Sequence, residues 1–209
     1  MQTTFEACKN GDVDTVCLLL TDIRVNPAYD YTKAMRYACA NGHADIIRML
    51  LAERRVNPAF LSNQAIRLAC ANGHVSVLKL LLADDRTDPG DLMDNAIRLA
   101  CANGHVDVVR ILLADGRVNP AAEYNEAIRL ACANGHVDVV RLLLDDCRVN
   151  PAAEKNEAVL WACGNGHLDV VRLLLADSRV NPADWYNSAI RRACMRGRVD
   201  VVCLPPPAA

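Results

Sequence analysis

The sequence predicts an all-α fold, a helical solenoid of about seven stacked helix-turn-helix repeats with short connecting loops. The first observation behind this prediction is a period of 31 residues, which all five histidines and six of the nine prolines obey. The same period runs through seven of the ten cysteines, namely Cys8, Cys39, Cys70, Cys101, Cys132, Cys163 and Cys194. A stack of identical units produces such a period, whereas a compact globular fold has no reason to keep one.

The unit that begins at Asn125 shows the elements of one repeat. Asn125 is a candidate N-cap, because its side-chain oxygen can accept a bond from a free backbone N–H. We predict a first helix from Ala127 to Asn134, ended by Gly135 in the left-handed conformation. A second helix is predicted from Val137 to about Asp145. Its apolar residues cover more than half of its circumference, so we expect it to pack against neighbours on both sides.

We expect one domain over residues 1–204, followed by a Pro/Ala tail at 205–209. It divides into an N-terminal capping repeat at 1–31, internal repeats at 32–62, 63–93, 94–124, 125–155 and 156–186, and a truncated C-terminal repeat at 187–204. Three prolines after Leu204 cannot continue the last helix. We therefore expect Leu173, Leu174 and Leu175 to be partly uncovered. Either a following domain covers them, or two chains associate through this end, or the last repeat is loosely held.

Two segments of the unit resemble the ankyrin repeat. Residues 130–136 read LACANGH and residues 139–144 read VVRLLL, where the family carries Leu-Ala-Ala-x-x-Gly-His followed by Val-Val-x-Leu-Leu-Leu. The unit is two residues shorter than the usual family repeat, so it resembles the short ankyrin arrays expanded in protists and large DNA viruses. We expect the β-hairpin of the family to be reduced to a plain loop. The resemblance implies protein–protein recognition without catalysis.

Composition excludes several classes of protein. Hydrophobic residues make up 52% of the chain, too many for a disordered segment. The net charge of −2 argues against nucleic acid as a partner. The N-terminus has no apolar core of a signal peptide, and no stretch is apolar enough to span a membrane. We therefore expect a cytoplasmic or nuclear protein that does not bind a membrane.

The recurring cysteine and histidine suggest a metal site or a Cys–His dyad, for example Cys132 with His136. A metal site needs about four ligands that converge on one point. Here a glycine turn separates each pair, so we interpret the cysteine as a buried thiol and the histidine as a hydrogen-bonding residue of the turn. We predict no metal and no cofactor. Cys17, Cys147 and Cys203 lie outside the period and are candidates for exposed thiols.

Arginines form three columns at the repeat period, and acidic residues run parallel to them. The first column contains Arg36, Arg67, Arg98, Arg129 and Arg191; the second contains Arg24, Arg55, Arg86, Arg117, Arg148 and Arg179; the third contains Arg48, Lys79, Arg110, Arg141 and Arg172. A basic stripe could bind an acidic partner. The alternative is a surface on which neighbouring acids neutralise the arginines, and the net charge near zero favours it.

Variation between repeats is concentrated in the three residues before each first helix, where six of the nine aromatic residues lie. Exposed aromatic side chains on the loops of a rigid scaffold are typical binding anchors. The predicted partner-binding residues are Tyr29, Tyr31, Phe60, Met93, Tyr124, Lys155, Trp185 and Tyr186. The alternative is that these side chains pack over the adjacent loop and stiffen it.

Motifs of enzymes are absent from the sequence. It contains no phosphate-binding glycine loop, no Gly-x-Ser-x-Gly and no His-Glu-x-x-His, and we predict neither a catalytic residue nor a small-molecule substrate. The favoured function is a non-catalytic protein–protein interaction module that acts as a scaffold or adaptor. The alternative functions are a structural spacer or engineered consensus scaffold without a dedicated partner, and a zinc or redox protein.

Overall fold

The structure is a computed structural model that describes residues 4–21, 32–54, 56–180, 186–198 and residue 200. Throughout these residues the regular secondary structure is helical, without a strand. The prediction that the β-hairpin is replaced by a plain loop is thus confirmed for the described part of the chain. The chain forms two compact units, residues 1–96 and residues 97–209, and the boundary falls within one helix.

The helices alternate between first and second helices of successive hairpins. The first helices are α1 (Thr4–Asn10), α3 (Thr32–Asn41), α5 (Phe60–Ala71), α7 (Asp91–Ala102), α9 (Ala122–Asn134), α11 (Ala153–Asn165) and α13 (Tyr186–Met195). The second helices are α2 (Val13–Thr21), α4 (Ala44–Ala52), α6 (Val75–Leu82), α8 (Val106–Ala114), α10 (Val137–Leu144) and α12 (Leu168–Ala176). The unit boundary lies within α7.

Within each unit, helices of the same kind stack on one another. In residues 1–96, α1 packs on α3 and α3 on α5, while α2 packs on α4 and α4 on α6. In residues 97–209, α9 packs on α11 and α11 on α13, while α10 lies between α8 and α12. The predicted all-α fold of stacked helix-turn-helix repeats is therefore confirmed within each unit.

The core is built from small residues of the first helices and larger residues of the second helices. In the α9–α10 hairpin, Ala131, Cys132, Val140 and Leu143 are all fully buried. Small residues on α9 allow its neighbours to approach closely, and each large aliphatic side chain buried on α10 contributes roughly 1.5–3 kcal/mol. Burying two faces of α10 explains why its apolar residues occupy so much of its circumference.

The turn between the two helices follows from one glycine. Gly135 has φ of 78°, and its N–H donates to the carbonyl of Cys132. The N–H of His136 donates to the carbonyl of Ala131 at 3.0 Å. This pair of bonds is the Schellman motif, which satisfies the last carbonyls of a helix and requires a residue with positive φ. The predicted helix end at Gly135 is confirmed.

The beginning of the first helices differs from the sequence prediction. Asn125 does not cap α9; it has φ of 62° and is the last of three consecutive left-handed residues, with Glu123 and Tyr124. The N–H of Asn125 donates to the carbonyl of Ala121 at 3.0 Å and closes one left-handed turn before the right-handed helix begins. The same left-handed turn occurs in three other first helices, at 61–63, 92–94 and 154–156.

The third residue of each left-handed turn is an asparagine or aspartate, and in two of the turns its side chain holds the next loop. The Oδ1 atom of Asn125 accepts a bond from the N–H of Asn150 at 2.6 Å, and Oδ1 of Asn63 accepts one from the N–H of Asp88 at 2.9 Å. Asparagine and aspartate tolerate positive φ better than other residues with a Cβ. The cap prediction was wrong because the side chain bonds to the following hairpin instead of its own helix.

The leucines of α12 do not form the exposed patch expected from the sequence. Leu174 is fully buried, like its counterpart Leu143 in α10. Leu173 and Leu175 are half-buried, as are Leu142 and Leu144. Because Leu174 is buried on a helix that packs against α10 and α11, the expectation of an uncovered leucine row was wrong at this position. The residues after Asp200 lie outside the described part of the chain.

Candidate protein-binding surfaces

Four of the predicted partner-binding residues lie on the left-handed turns or directly before them. Phe60, Met93 and Tyr124 are 45%, 65% and 71% exposed, and Lys155 is also exposed. Each of the four variable triplets that the structure describes therefore exposes at least one side chain to solvent. Three other predicted residues, Tyr29, Tyr31 and Trp185, lie outside the described residues. Tyr186 begins α13, but its side chain also lies outside the description.

In residues 1–96, two neighbouring turns together present an apolar surface. The side chain of Asn63 donates to Asp91 Oδ2 at 2.8 Å, which ties the turn at 61–63 to the turn at 92–94. Leu61 and Leu92 are 52% and 45% exposed, next in sequence to the exposed Phe60 and Met93. Exposed apolar side chains grouped in this way are typical of binding surfaces.

In the part of the chain that the structure describes, arginines of the second column join successive hairpins and are not free for a ligand. Arg148 Nη1 donates to the Val118 carbonyl at 3.0 Å, and Nη2 donates to the Leu113 carbonyl at 2.9 Å. Its Nε and Nη2 also bind the carboxylate of Asp146. Arg86 and Arg179 make the equivalent bonds within their own units. The interpretation as a neutralised surface is correct for these arginines, which also bind the helix ends of the preceding hairpin.

These ion pairs change the acidity of the aspartates. Hydrogen bonds from the Arg148 side chain hold the pKa of Asp146 below its usual value, although partial burial opposes the shift. Asp84, Asp115 and Asp177 are shifted in the same direction, each mainly by the side chain of the arginine two residues later. All four carboxylates are consequently ionised at neutral pH.

The first column of arginines lies along the first helices, and two of its members are paired with glutamates. Within residues 97–209, Arg98 bonds to Glu126 and Arg129 bonds to Glu157, each across to the next first helix. Arg129 also donates from Nη2 to the carbonyl of Glu123 at 3.1 Å and supports the left-handed turn. The series stops at Leu160, where the column has no arginine.

The histidines connect successive hairpins as well. Nε2 of His136 lies 2.9 Å from the carbonyl oxygen of Ala102, and Nε2 of His167 lies 3.0 Å from that of Ala133. Because a carbonyl only accepts, Nε2 carries the proton and donates. The predicted hydrogen-bonding role is confirmed, but the acceptor belongs to the preceding hairpin. Within the described residues, no three His, Cys, Asp or Glu side chains form a group that could hold a metal ion.

The cysteines of the period are thiols of the core, as predicted, with the exception of Cys194. Six of them, Cys8, Cys39, Cys70, Cys101, Cys132 and Cys163, are buried. Burial raises the pKa of Cys8 and Cys163 to about 12, so these thiols stay protonated. Cys17 and Cys147 are exposed as predicted, Cys203 lies outside the described residues, and Cys194 is exposed on α13.

A cleft that the sequence analysis missed opens between α9 and α11. It has a volume of about 360 Å³ and is lined by Leu130, Ala133 and Trp161 together with Glu126, Arg129 and Glu157. Beside it, the guanidinium carbon of Arg192 lies 4.2 Å from the centroid of the Trp161 ring. The available signal was the local break in the repeat at Leu160, Trp161, Gly164 and Arg192. The side chain of Trp161 is half-buried.

The fold and the surfaces define a class of protein, the helical-hairpin repeat proteins, which bind through side chains displayed on a repetitive frame. The family model for ankyrin repeats, three copies, matches residues 4–91, 66–154 and 130–204. This chain belongs to the ankyrin repeat family. No curated protein matches it in sequence. The crystal structure of the human ASB11 ankyrin repeat domain is similar, with a TM-score of 0.79 and 19% identity over 98% of this chain and 99% of that chain.

None of the helices in the described ranges has both the length and the apolarity that crossing a membrane requires.

Proposed function

We propose that this chain is a non-catalytic protein–protein interaction module, a scaffold or adaptor, that contacts its partner through the left-handed turns of its first helices. Ankyrin repeats in general bind protein partners, and this chain is a member of that family. The observation that carries the specific proposal is a contrast. The backbone of the four turns is the same, whereas the exposed side chains on them differ from turn to turn.

The backbone of these turns is unfavourable, which supports a functional origin. A left-handed conformation costs roughly 1–2 kcal/mol for a residue with a Cβ. Leu92, Met93 and Tyr124 adopt it although they gain little burial there. Strained residues of this kind persist where the surrounding structure holds them, and they cluster at binding sites. The first and second residues of each turn are thereby held away from the helix and directed to solvent.

The second candidate is a structural spacer or an engineered consensus scaffold without a dedicated partner. The near-identity of residues 94–104 and 125–135 favours it, since DNAIRLACANG and NEAIRLACANG differ at only their first two positions. Against it, the residues directly before these segments are not uniform; they include Met93 in one repeat and Tyr124 in the next. A scaffold without a partner has no need of exposed apolar side chains at equivalent positions.

Affinity capture with matched variants distinguishes the two candidates. The full chain, a Phe60→Ala/Met93→Ala/Tyr124→Ala variant and a Leu18→Ala variant would each be used to capture proteins from source cells. Leu18 is 73% exposed on α2, so its truncation removes exposed apolar surface at a different place. We expect a protein that the native chain and the Leu18 variant retain and the triple variant loses. A triple variant that captures the same proteins as the native chain, with unchanged helicity, would refute the assignment of the site.

A further inference from the structure

We infer that the face formed by α11 and α13 binds an acidic segment of the protein partner, and that the cleft between α9 and α11 receives an apolar side chain of the same segment. This inference deepens the proposed function and rests on it. It gives a binding role to residues that depart from the repeat pattern, namely Trp161, Gly164 and Arg192.

α13 and the turn that follows it carry an excess of positive charge. Residues 186–198 contain four arginines, Arg191, Arg192, Arg196 and Arg198, and neither aspartate nor glutamate. The equivalent residues 124–136 and 155–167 each carry one positive and one negative charge, with histidine neutral. No ion pair joins the four arginines to a carboxylate among the described residues, whereas the arginines of α7 and α9 are paired with glutamates. Among the described residues, the charge excess is therefore local, and none of the four arginines is neutralised by an ion pair.

The side chains of Arg192 and Arg196 are held in place. Trp161 has Arg192 over its ring at 4.2 Å and the guanidinium carbon of Arg196 at 5.9 Å from its centroid. Arg196 also donates from Nη1 to Asn165 Oδ1. Stacking uses the flat face of a guanidinium and leaves its N–H groups free to bind carboxylates. An arginine ordered in this way loses less entropy when a ligand binds.

Gly164 shows that α11 accommodates this arrangement. A Cβ at this position would lie 3.1 Å from Cγ of Arg192, so the glycine leaves room for the arginine to reach the tryptophan ring. The equivalent residue of α9 is Ala133. The tryptophan, the glycine and the arginine therefore depart from the repeat together and meet at one point of the structure.

The cleft beside these arginines has an apolar lining. Leu130, Ala133 and Trp161 form its apolar lining, while Glu126 and Glu157 at its edge are engaged by Arg98 and Arg129. The paired glutamates leave little net charge around the cleft. An apolar side chain fits such a site, and carboxylates next to it in the same segment would meet Arg191, Arg192 and Arg196.

The surroundings favour a short acidic peptide over a long polyanion. Exposed acidic residues lie on the same unit outside the patch, among them Asp138, Asp169 and Glu154. A nucleic acid that extended beyond the patch would meet these charges, whereas a segment of a few residues would not.

Fluorescence anisotropy with the full chain tests the inference. The probe is a fluorescein-labelled peptide of Gly, Ser and Glu with one central Leu, compared with one peptide that has Gln for Glu and another that has Ser for Leu. The test variant is Arg191→Gln/Arg196→Gln, and the matched control is Arg141→Gln/Arg172→Gln. Arg141 and Arg172 are exposed on α10 and α12, so the control removes the same charge from other helices.

We expect saturable binding of the Glu/Leu peptide that weakens as salt increases. The Arg191/Arg196 variant should bind roughly fivefold to tenfold more weakly, while the control should bind like the native chain. Either substituted peptide should bind more weakly than the probe. The inference would be overturned if the peptide did not bind the native chain, or if both variants lost the same affinity for it. It would also be overturned if a single-stranded oligonucleotide or phosphatidylserine vesicles bound as tightly as the peptide or more tightly. The thermal midpoint of each variant shows whether a loss of peptide binding is caused by unfolding. Arg191→Gln alone, at an exposed side chain, serves as the second test variant.

The capture experiment separates this inference from the proposed function. A partner that depends on Phe60, Met93 and Tyr124, together with no binding of the acidic peptide, would refute the inference alone. The opposite result is that the peptide binds in a manner that depends on Arg191 and Arg196, while no partner is captured. This result would refute the proposed site on the left-handed turns and leave the acidic-segment site supported.

Discussion

The imidazole ring of His167 lies against Gly135, so close that a Cβ added to the glycine would be 2.5 Å from Nδ1. Gly135 also has φ of 78°. The glycine is therefore required for two reasons: it ends α9 in the left-handed conformation, and it leaves space for the ring that binds the Ala133 carbonyl. Within the units, Gly42 has the same relationship to His74 and Gly104 to His136.

Gly135→Ala should lower the free energy of unfolding by about 2 kcal/mol or more, because alanine is strained at positive φ and its Cβ displaces the histidine. Urea unfolding followed by circular dichroism measures the change. Gly116→Ala is the matched control, since nothing lies within 4 Å of a Cβ there. A loss in the control as large as that at Gly135 would contradict this explanation.

Arg148→Lys should destabilise the chain by about 1–2 kcal/mol, although the charge is kept. The guanidinium binds the Asp146 carboxylate and two backbone carbonyls, of Val118 and Leu113, at the same time. A lysine ammonium cannot reproduce this fork. Urea unfolding of Arg148→Lys beside Arg141→Lys tests the prediction, because Arg141 is exposed on α10. Equal stability of the two variants would show that the fork contributes nothing measurable.

The stability of the chain should fall in acid, and the four paired aspartates should account for part of the fall. Their arginine partners depress the pKa of each carboxyl in the folded state. The stabilisation is therefore present above the unfolded pKa, about 3.9, and is lost as the pH falls through the lower folded values. The temperature at the midpoint of unfolding can be measured from neutral pH down to about pH 2. It should fall less steeply for Asp115→Asn/Asp146→Asn/Asp177→Asn than for the native chain. An identical profile would contradict the assignment.

The repeat frame could be predicted from the sequence, because each of its residues obeys a local rule. The cysteine, histidine and proline period predicts stacked hairpins, and Gly135 marks the end of α9 as expected. The left-handed turns could not be predicted, because Leu92, Met93 and Tyr124 are residues that ordinarily avoid positive φ. Only the asparagine or aspartate at the third position was a signal for them, and that residue is equally typical of an N-cap.

The surface at Trp161 could not be predicted either, because it depends on contacts between helices. Arg192 is 31 residues after Trp161, at the same position of the next repeat, and the sequence does not show that the two side chains stack. The exposed turn residues were predicted because variation alone identifies them. The engagement of the second arginine column became evident only from its bonds to the preceding hairpin.

Asn125 gives a test of the left-handed turn itself. Asn125→Gly keeps the ability to adopt positive φ but removes the bond to the N–H of Asn150, whereas Asn125→Ala loses both. We expect Asn125→Gly to lose about 1 kcal/mol of unfolding free energy and Asn125→Ala about 1 kcal/mol more. Urea unfolding measures both variants. An alanine variant at least as stable as the glycine variant would exclude strain at this position.

Leu143→Ala tests how far a defect in the core spreads. Leu143 is fully buried on α10, so its truncation should cost about 2–5 kcal/mol. In a stack whose hairpins touch only their neighbours, we expect hydrogen-exchange protection to be lost first in residues 125–198 and to be largely retained in α3–α6. Leu18→Ala, at an exposed position of α2, should change protection little anywhere. A uniform loss of protection along the whole chain would show instead that the hairpins unfold as a single cooperative block.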